Sequence, residues 1–335
     1  MRQAMPSQPP SPAPAPPATA AAPALSGAAP ASAPQNYLGG IALRLLAMIA
    51  LALMFVLVKY IDAAGIHILE SLFWRQALVL PFLLLWIFAS GAGLASLRTR
   101  RIGAHARRAM MGLFGMACNF GGMIFLPMAE ATTISLSVPI FAVIFAALLL
   151  GEPTGWQRWS AVIIGFVGVL IVLAPGAGVA GGFSGEHGMG VAIALGGALM
   201  TALITIAVRD LGRTENSTTI VFWFSLISLV PLGIALPFVF TPHSFGEWML
   251  LIGLGLSGAV VQMALTGALR LAPVAVVIPI DYSSLLWSIA AGWWFFGTLP
   301  SETTWIGAPL IVASGLFIAW REHRLHLERG KEVAA

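Results

Sequence analysis

Residues 131–176 read ATTISLSVPIFAVIFAALLLGEPTGWQRWSAVIIGFVGVLIVLAPG. Two apolar runs, 131–150 and 157–175, flank a short stretch of glycine, proline and tryptophan; beyond Glu152 between them, the only charged residue is Arg158 at the start of the second. Each run approaches the roughly 20 residues that a helix needs to cross the hydrocarbon core of a bilayer. A single strand at that depth would leave its backbone groups unpaired, so both runs read as transmembrane helices. The pattern repeats in both directions. Further apolar segments lie at 40–61, 68–90, 109–127, 188–208, 217–238, 246–268, 273–296 and 304–320, which makes ten in all.

Composition agrees. Of 335 residues, 59% are hydrophobic and only 9% charged, and mean hydropathy is +0.91. A soluble domain carries about a quarter charged residues, and with so few here its surface would have to be apolar as well. The lipid bilayer is therefore the expected solvent. The 36 glycines and 22 prolines suit membrane helices, where small residues let backbones approach closely. A single cysteine, Cys118, excludes an intramolecular disulfide and a cysteine-based metal site. The net charge of +4 gives no reason to expect nucleic acid as a partner.

Residues 1–36 form a Pro/Ala/Ser tract, read as a disordered cytoplasmic tail. It lacks the basic start and unbroken apolar run of a signal peptide. With both termini in the cytoplasm, all of the 17 Lys/Arg except Lys59 and Arg75 fall on the inner side, many of them in the 91–108 loop. This is the bias that sets orientation. Trp248, Trp293, Trp294 and Trp305 then lie near the outer interface, and Trp156, Trp159 and Trp320 near the inner one. At an offset of 146, Pro127 aligns with Pro273, Ala129 with Ala275, Gly151 with Gly297 and Trp159 with Trp305. The chain reads as two halves of five spans. The first covers 37–176 and the second 188–322, joined by an outer loop at 177–187 and followed by a basic tail at 323–335. An odd number of spans per half inverts the second copy, an architecture common among secondary transporters.

In VKYIDAAGIHILESLFWRQALVLP (58–81), in 131–176, in ALRLAPVAVVIPIDYSSLLWSIAAGWWFFGTLP (268–300) and in IGAPLIVASGLFIAW (306–320), the chain resembles the drug/metabolite transporter superfamily in its ten-helix EamA branch. The resemblance implies an all-α membrane protein of two inverted five-helix repeats in the bacterial inner membrane. It also implies a small-molecule substrate moved by exchange or with protons. The family's Gly-Glu after the fourth helix is present as Gly151-Glu152, but its second-half counterpart is Gly297-Thr298.

Ionisable residues within spans are costly and mark interior or cavity positions. Asp281 lies about 12 Å into its helix at 1.5 Å per residue, with Ser284 and Ser288 on the same face and Pro279 just before it. It reads as a proton or cation site, as a partner for a basic group, or as part of a helix break. Arg75, with Ser71 on its face, reads as a substrate anchor or as half of a pair with Asp281 or Glu70. Lys59 either snorkels to the outer interface or joins the site. Glu70 and Glu130 read as solvated helix-end acids. Asn119 shares a glycine-rich face with Gly112, Gly115 and Gly122, and Gln262 shares one with Gly255, Gly258 and Thr266; both suit cavity lining or a helix–helix hydrogen bond. Thr201 and Thr205 are expected to bond back to their own helix. Tyr282 and Trp74 are candidates to stack on a flat substrate.

All six histidines fall in expected loops or tails, without metal-ligand spacing, and no phosphate-binding GxxxxGK[ST] run occurs. Neither a cofactor nor an enzymatic activity is expected. A membrane enzyme lacks its acid or metal cluster, which leaves a non-transporting sensor or assembly protein as the alternative. Arg75 and Lys59 favour an anionic group on the substrate and Asp281 an amine, so an amino-acid-like zwitterion satisfies both. Oligomeric state is open, with a homodimer as one arrangement.

Overall fold

A computed structural model of the chain describes residues 36–91, 93–151, 155–173, 185–272 and 274–334. The proline-rich tail up to residue 35, Glu152, Pro273 and the connecting residues 177–184 lie outside them, as do the side chains of His323 and His326. The described chain is all helical. Its helices are α1 (Tyr37–Ala63), α2 (Ile68–Ala89), α3 (Ile102–Phe125), α4 (Met128–Ser135), α5 (Val138–Leu150), α6 (Trp156–Leu173), α7 (Glu186–Leu211), α8 (Ser217–Val239), α9 (Phe245–Leu271), α10 (Val274–Val277), α11 (Ser283–Phe296) and α12 (Glu302–Ala334). Short 3-10 turns occupy Leu94–Leu97 and Ile278–Tyr282.

Among the described residues, eight stretches are long and apolar enough to cross a membrane: α1, α2, α4 with α5, α6, α7, α8, α9 and the first part of α12. The other two apolar segments differ for physical reasons. Basic residues begin α3, and glycines with Asn119 dilute the rest of it. The 274–296 segment is divided into α10, a 3-10 turn and α11.

Local chemistry explains the ends. The Asn36 side chain accepts the Gly39 amide at 2.8 Å to open α1. Ser244 and Glu247 form a reciprocal capping box at α9. Gly151 and Gly297, the aligned pair of the two halves, close α5 and α11 in the left-handed conformation that glycine adopts freely. The expected loop 91–108 is shorter than its charge content suggested. α3 begins at Ile102, and the chain before it is tied to the second half. Thr219 donates to the Ser96 carbonyl, Trp223 to the Leu97 carbonyl and Thr99 to Glu215.

Helices pack in reciprocal pairs. α1 runs antiparallel along α9 and α3 antiparallel along α7; α2 packs on α8 and α9, and α6 on α12. Small residues make this possible without a hydrophobic drive inside lipid. A Cβ at Gly168 would meet the Gly307 carbonyl oxygen at 2.9 Å, and one at Gly122 the Ala194 Cβ at 2.9 Å. Ser314 adds a 2.6 Å hydrogen bond from α12 to the Ala161 carbonyl of α6. The outward faces carry large apolar side chains such as Phe238, Trp156 and Trp294, all mostly exposed. Such a perimeter is matched to lipid, since soluble monomers rarely expose contiguous apolar patches of this extent. Trp248, half-buried on the first turn of α9, packs edge-on to Trp74 at 5.0 Å.

Of the two main core clusters, the first lies where α1 and α3 finish and α2 and α9 begin, and the second continues to Val143, Ala161 and Ile318, toward the end of α5 and the start of α6. One joins Met54, Val58 and Ile61 to Leu72, Phe120, Leu232 and Leu251. The other joins Met123, Leu126 and Met128 to Val191 and Ile311. Smaller clusters pack around the starts of α1 and α3, and between them the bundle encloses a hollow.

Candidate functional site

The hollow is a cavity of about 510 Å³. It is walled by α1, α3 and α9, by one residue of α2, by parts of α7 and α8, and by the two places where helices break: the α4–α5 junction and the 278–282 turn. Along α1 it runs from Arg44 to Phe55, and along α3 from Arg108 to Phe120. The last turns of both helices close it off.

The break at Ile278–Tyr282 follows from Pro279, which removes a backbone donor and prevents a regular helix through that position. Asp281 therefore sits in a turn, at the helix break that Pro279 suggests. Its carboxylate is met by Arg44 of α1 in a two-pronged ion pair, with Nε to Oδ1 and Nη2 to Oδ2 both at 2.5 Å. Arg75, read as a possible partner of Asp281 or Glu70, pairs with neither: Asp281 takes Arg44 and Glu70 takes His243. Arg44 is buried, and about a third of the Asp281 side chain remains open to the cavity. Bidentate geometry of this kind is among the stronger polar contacts available. It ties the first half of the chain to the second. Sequence reasoning counted Arg44 only as an inner-side charge, although its place inside the first apolar run was the available signal.

Arg75 reaches the cavity from α2 and is 5% exposed. One guanidinium nitrogen donates to the Gln76 side chain at 2.8 Å and meets the Met116 sulfur at 2.9 Å, while its Nε has no partner. Arg108, expected in the inner loop, lies on the second turn of α3 with its guanidinium 4.0 Å from the centre of the Phe224 ring. Its Nε and Nη1 are buried without hydrogen bonds. The signal for Arg108 was its spacing: it shares the α3 face of Gly112, Gly115 and Asn119.

Asn119 and Gln262 both line the cavity, and Asn119 also donates to Thr201 of α7 at 3.3 Å. The two readings of Asn119 thus coexist. Thr201 bonds back to the Gly197 carbonyl as expected and still faces the cavity. Tyr282 stands between the cavity and an apolar groove of about 410 Å³ on the α11–α12 side. Its hydroxyl end fits against α12 because Gly315 has no side chain there. Ser284 joins the wall, whereas Ser288 is withdrawn into a 2.8 Å hydrogen bond from Thr132.

Lys59 stands apart. Its ammonium lies 3.4 Å from the Ile124 carbonyl and over the Phe296 ring, away from the cavity. Trp74 also lies outside the cavity wall, in the seam with Trp248. Glu70 and Glu130 correct their expected solvated state. Glu70 is fully buried, accepting from Trp74 at 3.2 Å and lying 2.6 Å from His243. Glu130 is nearly buried and lies 3.3 Å from His187. Two histidines read as loop residues thus become partners of helix-end acids: His243, buried between α8 and α9, and His187, on the first turn of α7. His105 is likewise inside α3 and buried, 3.9 Å from Glu215. Among the described residues no cluster of three or more His, Cys, Asp or Glu could hold a metal.

Apolar helices gathered around a mostly apolar cavity that carries a few charged and amide groups suit one class, which the family match shows: a multi-pass membrane transporter of a small molecule, not an enzyme. The chain belongs to the EamA-like transporter family, whose model matches it twice, over residues 38–174 and 188–320. It is 28% identical over 297 residues to an S-adenosylmethionine uptake transporter of Rickettsia prowazekii, covering 87% of this chain and 96% of the relative. A riboflavin transporter of Rhizobium johnstonii is 30% identical, covering 88% and 95%. The pseudopaline exporter CntI of Pseudomonas aeruginosa is 26% identical, covering 82% and 94%. A solved crystal structure superposes at a TM-score of 0.59 with 20% identity, over 86% of this chain and 98% of that one, a likeness of fold alone. These relatives make the protein a transporter of a small metabolite.

Proposed function

We propose that the chain is a secondary active transporter of a small organic solute in the bacterial inner membrane, working by alternating access between inverted repeats at 37–176 and 188–322. The observation that carries the reading is the Arg44–Asp281 pair, which joins α1 of one half to the broken helix of the other on the cavity wall.

Inversion is supported by the packing. Exchanging the halves turns the α1–α9 contact into the α7–α3 contact and leaves α2–α8 and α6–α12 unchanged. It is also supported by the breaks. At the offset of 146, Ser135 at the end of α4 corresponds to Asp281 in the 278–282 turn, and both residues line the cavity. Discontinuous helices at a repeat interface are the usual setting of a transporter's binding site, because freed backbone groups can face a cavity there.

With both termini cytoplasmic, the hollow faces the cytoplasm. The Trp74–Trp248 contact and the Glu70–His243 pair seal the outer side. The described conformation is then inward-facing. A proton taken up by Asp281 cancels its charge, releases Arg44 and lowers the cost of separating the two halves. Substrate binding that favours one conformation shifts the equilibrium by its differential affinity. Proton coupling or exchange are the modes this pair suits.

The test is counterflow in proteoliposomes with S-adenosylmethionine, riboflavin and a panel of amino acids and carboxylates. The wild type accumulates at least one solute above empty vesicles, and Arg44→Gln/Asp281→Asn reduces that accumulation at least tenfold. Equal accumulation in empty vesicles, with protein shown to be folded, contradicts the reading.

A further inference from the structure

We propose that the substrate is an amphipathic organic anion, its charged group held by Arg75 and Arg108; this rests on the transport reading above. The charged residues lining the cavity are three arginines and one aspartate. Asp281 is already engaged by both prongs of Arg44. Two guanidinium groups are left over. Neither has a carboxylate within ion-pair distance among the described residues, and both carry buried N–H groups with no acceptor. A guanidinium keeps its charge in such a setting, so it needs an anion or a set of acceptors.

The two groups belong to one wall. Arg75 touches Met116, which lies eight residues beyond Arg108 on α3, about 12 Å along the helix at 1.5 Å per residue. Long side chains extending from those two points can converge on one anionic group or grip the two ends of a longer solute. The surface between them is apolar, built from Met48, Met54, Phe55, Met116 and Phe120. Methionine and aromatic walls accommodate varied apolar bodies, and a volume of about 510 Å³ lies within the range of small-molecule sites. An amine gains less here, because the one carboxylate is committed and the surplus charge is positive. A carboxylate, sulfonate or phosphate on an apolar or aromatic body suits both the surplus positive charge and the apolar remainder of this wall. The zwitterion suggested by the sequence required a free Asp281.

The experiment is thermal unfolding of the full chain in neutral detergent, using Arg75→Met and Arg108→Met. It includes the matched pairs phenylacetate and phenylacetamide, glutarate and glutaramide, and riboflavin 5′-phosphate and riboflavin. An empty anion site leaves each arginine as an uncompensated charge, so both ligand-free variants should unfold at the wild-type temperature or above it. A drop of several degrees in both variants assigns the arginines to structural support and overturns the proposal. In the wild type, stabilisation should follow the anionic member of a pair and vanish in the variants. Stabilisation by the neutral member alone overturns it, as does an anion effect that survives in both variants. Stabilisation seen only with phosphatidylglycerol makes the cavity a lipid site and overturns it too. A neutral compound that shows counterflow would leave the transport reading standing while removing the anion.

Discussion

At the scale of single residues, Arg44 and Asp281 are the most consequential pair. Asp281→Asn is nearly isosteric but leaves Arg44 buried and unpaired. Breaking one side of a buried pair destabilises by about 3–5 kcal/mol, and the partial exposure of Asp281 places the effect at the low end. Arg44→Gln should destabilise less, because its stranded partner reaches cavity water. The double variant should recover most of the loss, as thermal unfolding of the four proteins will show; additive losses would mean that the pair is not coupled. Asp281, Arg75, Tyr282, Asn119 and Gln262 were legible in the sequence as polar residues inside apolar runs. Arg44 and Arg108 were not, because a charge near the end of a run looks like a topology signal until the partner helix is known. The acids Glu70 and Glu130 were misread for a related reason. Their partners, His243 and His187, are far away in sequence.

At the scale of elements, the helices were legible because their apolar periods are long, and the breaks only in part. Pro279 announces an interruption, whereas the 3-10 form of the turn depends on the packing of α1 and α12 around it. Close packing yields a sharp prediction at α6. Gly168→Ala places a methyl 2.9 Å from a backbone oxygen of Gly307, where neither helix can yield without separating. Overpacking of this kind costs about 1–3 kcal/mol, whereas Gly103→Ala, with open space around it, should be neutral in the same unfolding assay. The start of α2 offers a second test. His243→Ala removes the partner of Glu70 and loosens the seam with α9. In oriented vesicles it should raise external labelling of a cysteine placed at Met54, in a Cys118→Ser background. Unchanged labelling would show that the seam does not hold the outer side shut.

At the scale of the whole molecule, two halves share one cavity, and their packing is reciprocal under exchange. The family match over two consecutive stretches fits the same division. In the sequence, four aligned positions and a charge map suggest that division. The location of the hollow, beside Arg44 and Arg108 rather than at the outer ends, emerges only from how the helices cross. The most direct test uses Ser135→Cys in the Cys118→Ser background, at the first helix break on the cavity wall. Labelling with a membrane-impermeant maleimide is measured from each side of oriented proteoliposomes, with and without a stabilising solute. The account predicts strong labelling from the cytoplasmic side, a weaker but measurable reaction from the outside, and a shift between the two on adding solute. Reaction from one side only, unchanged by any solute that binds, would contradict alternating access.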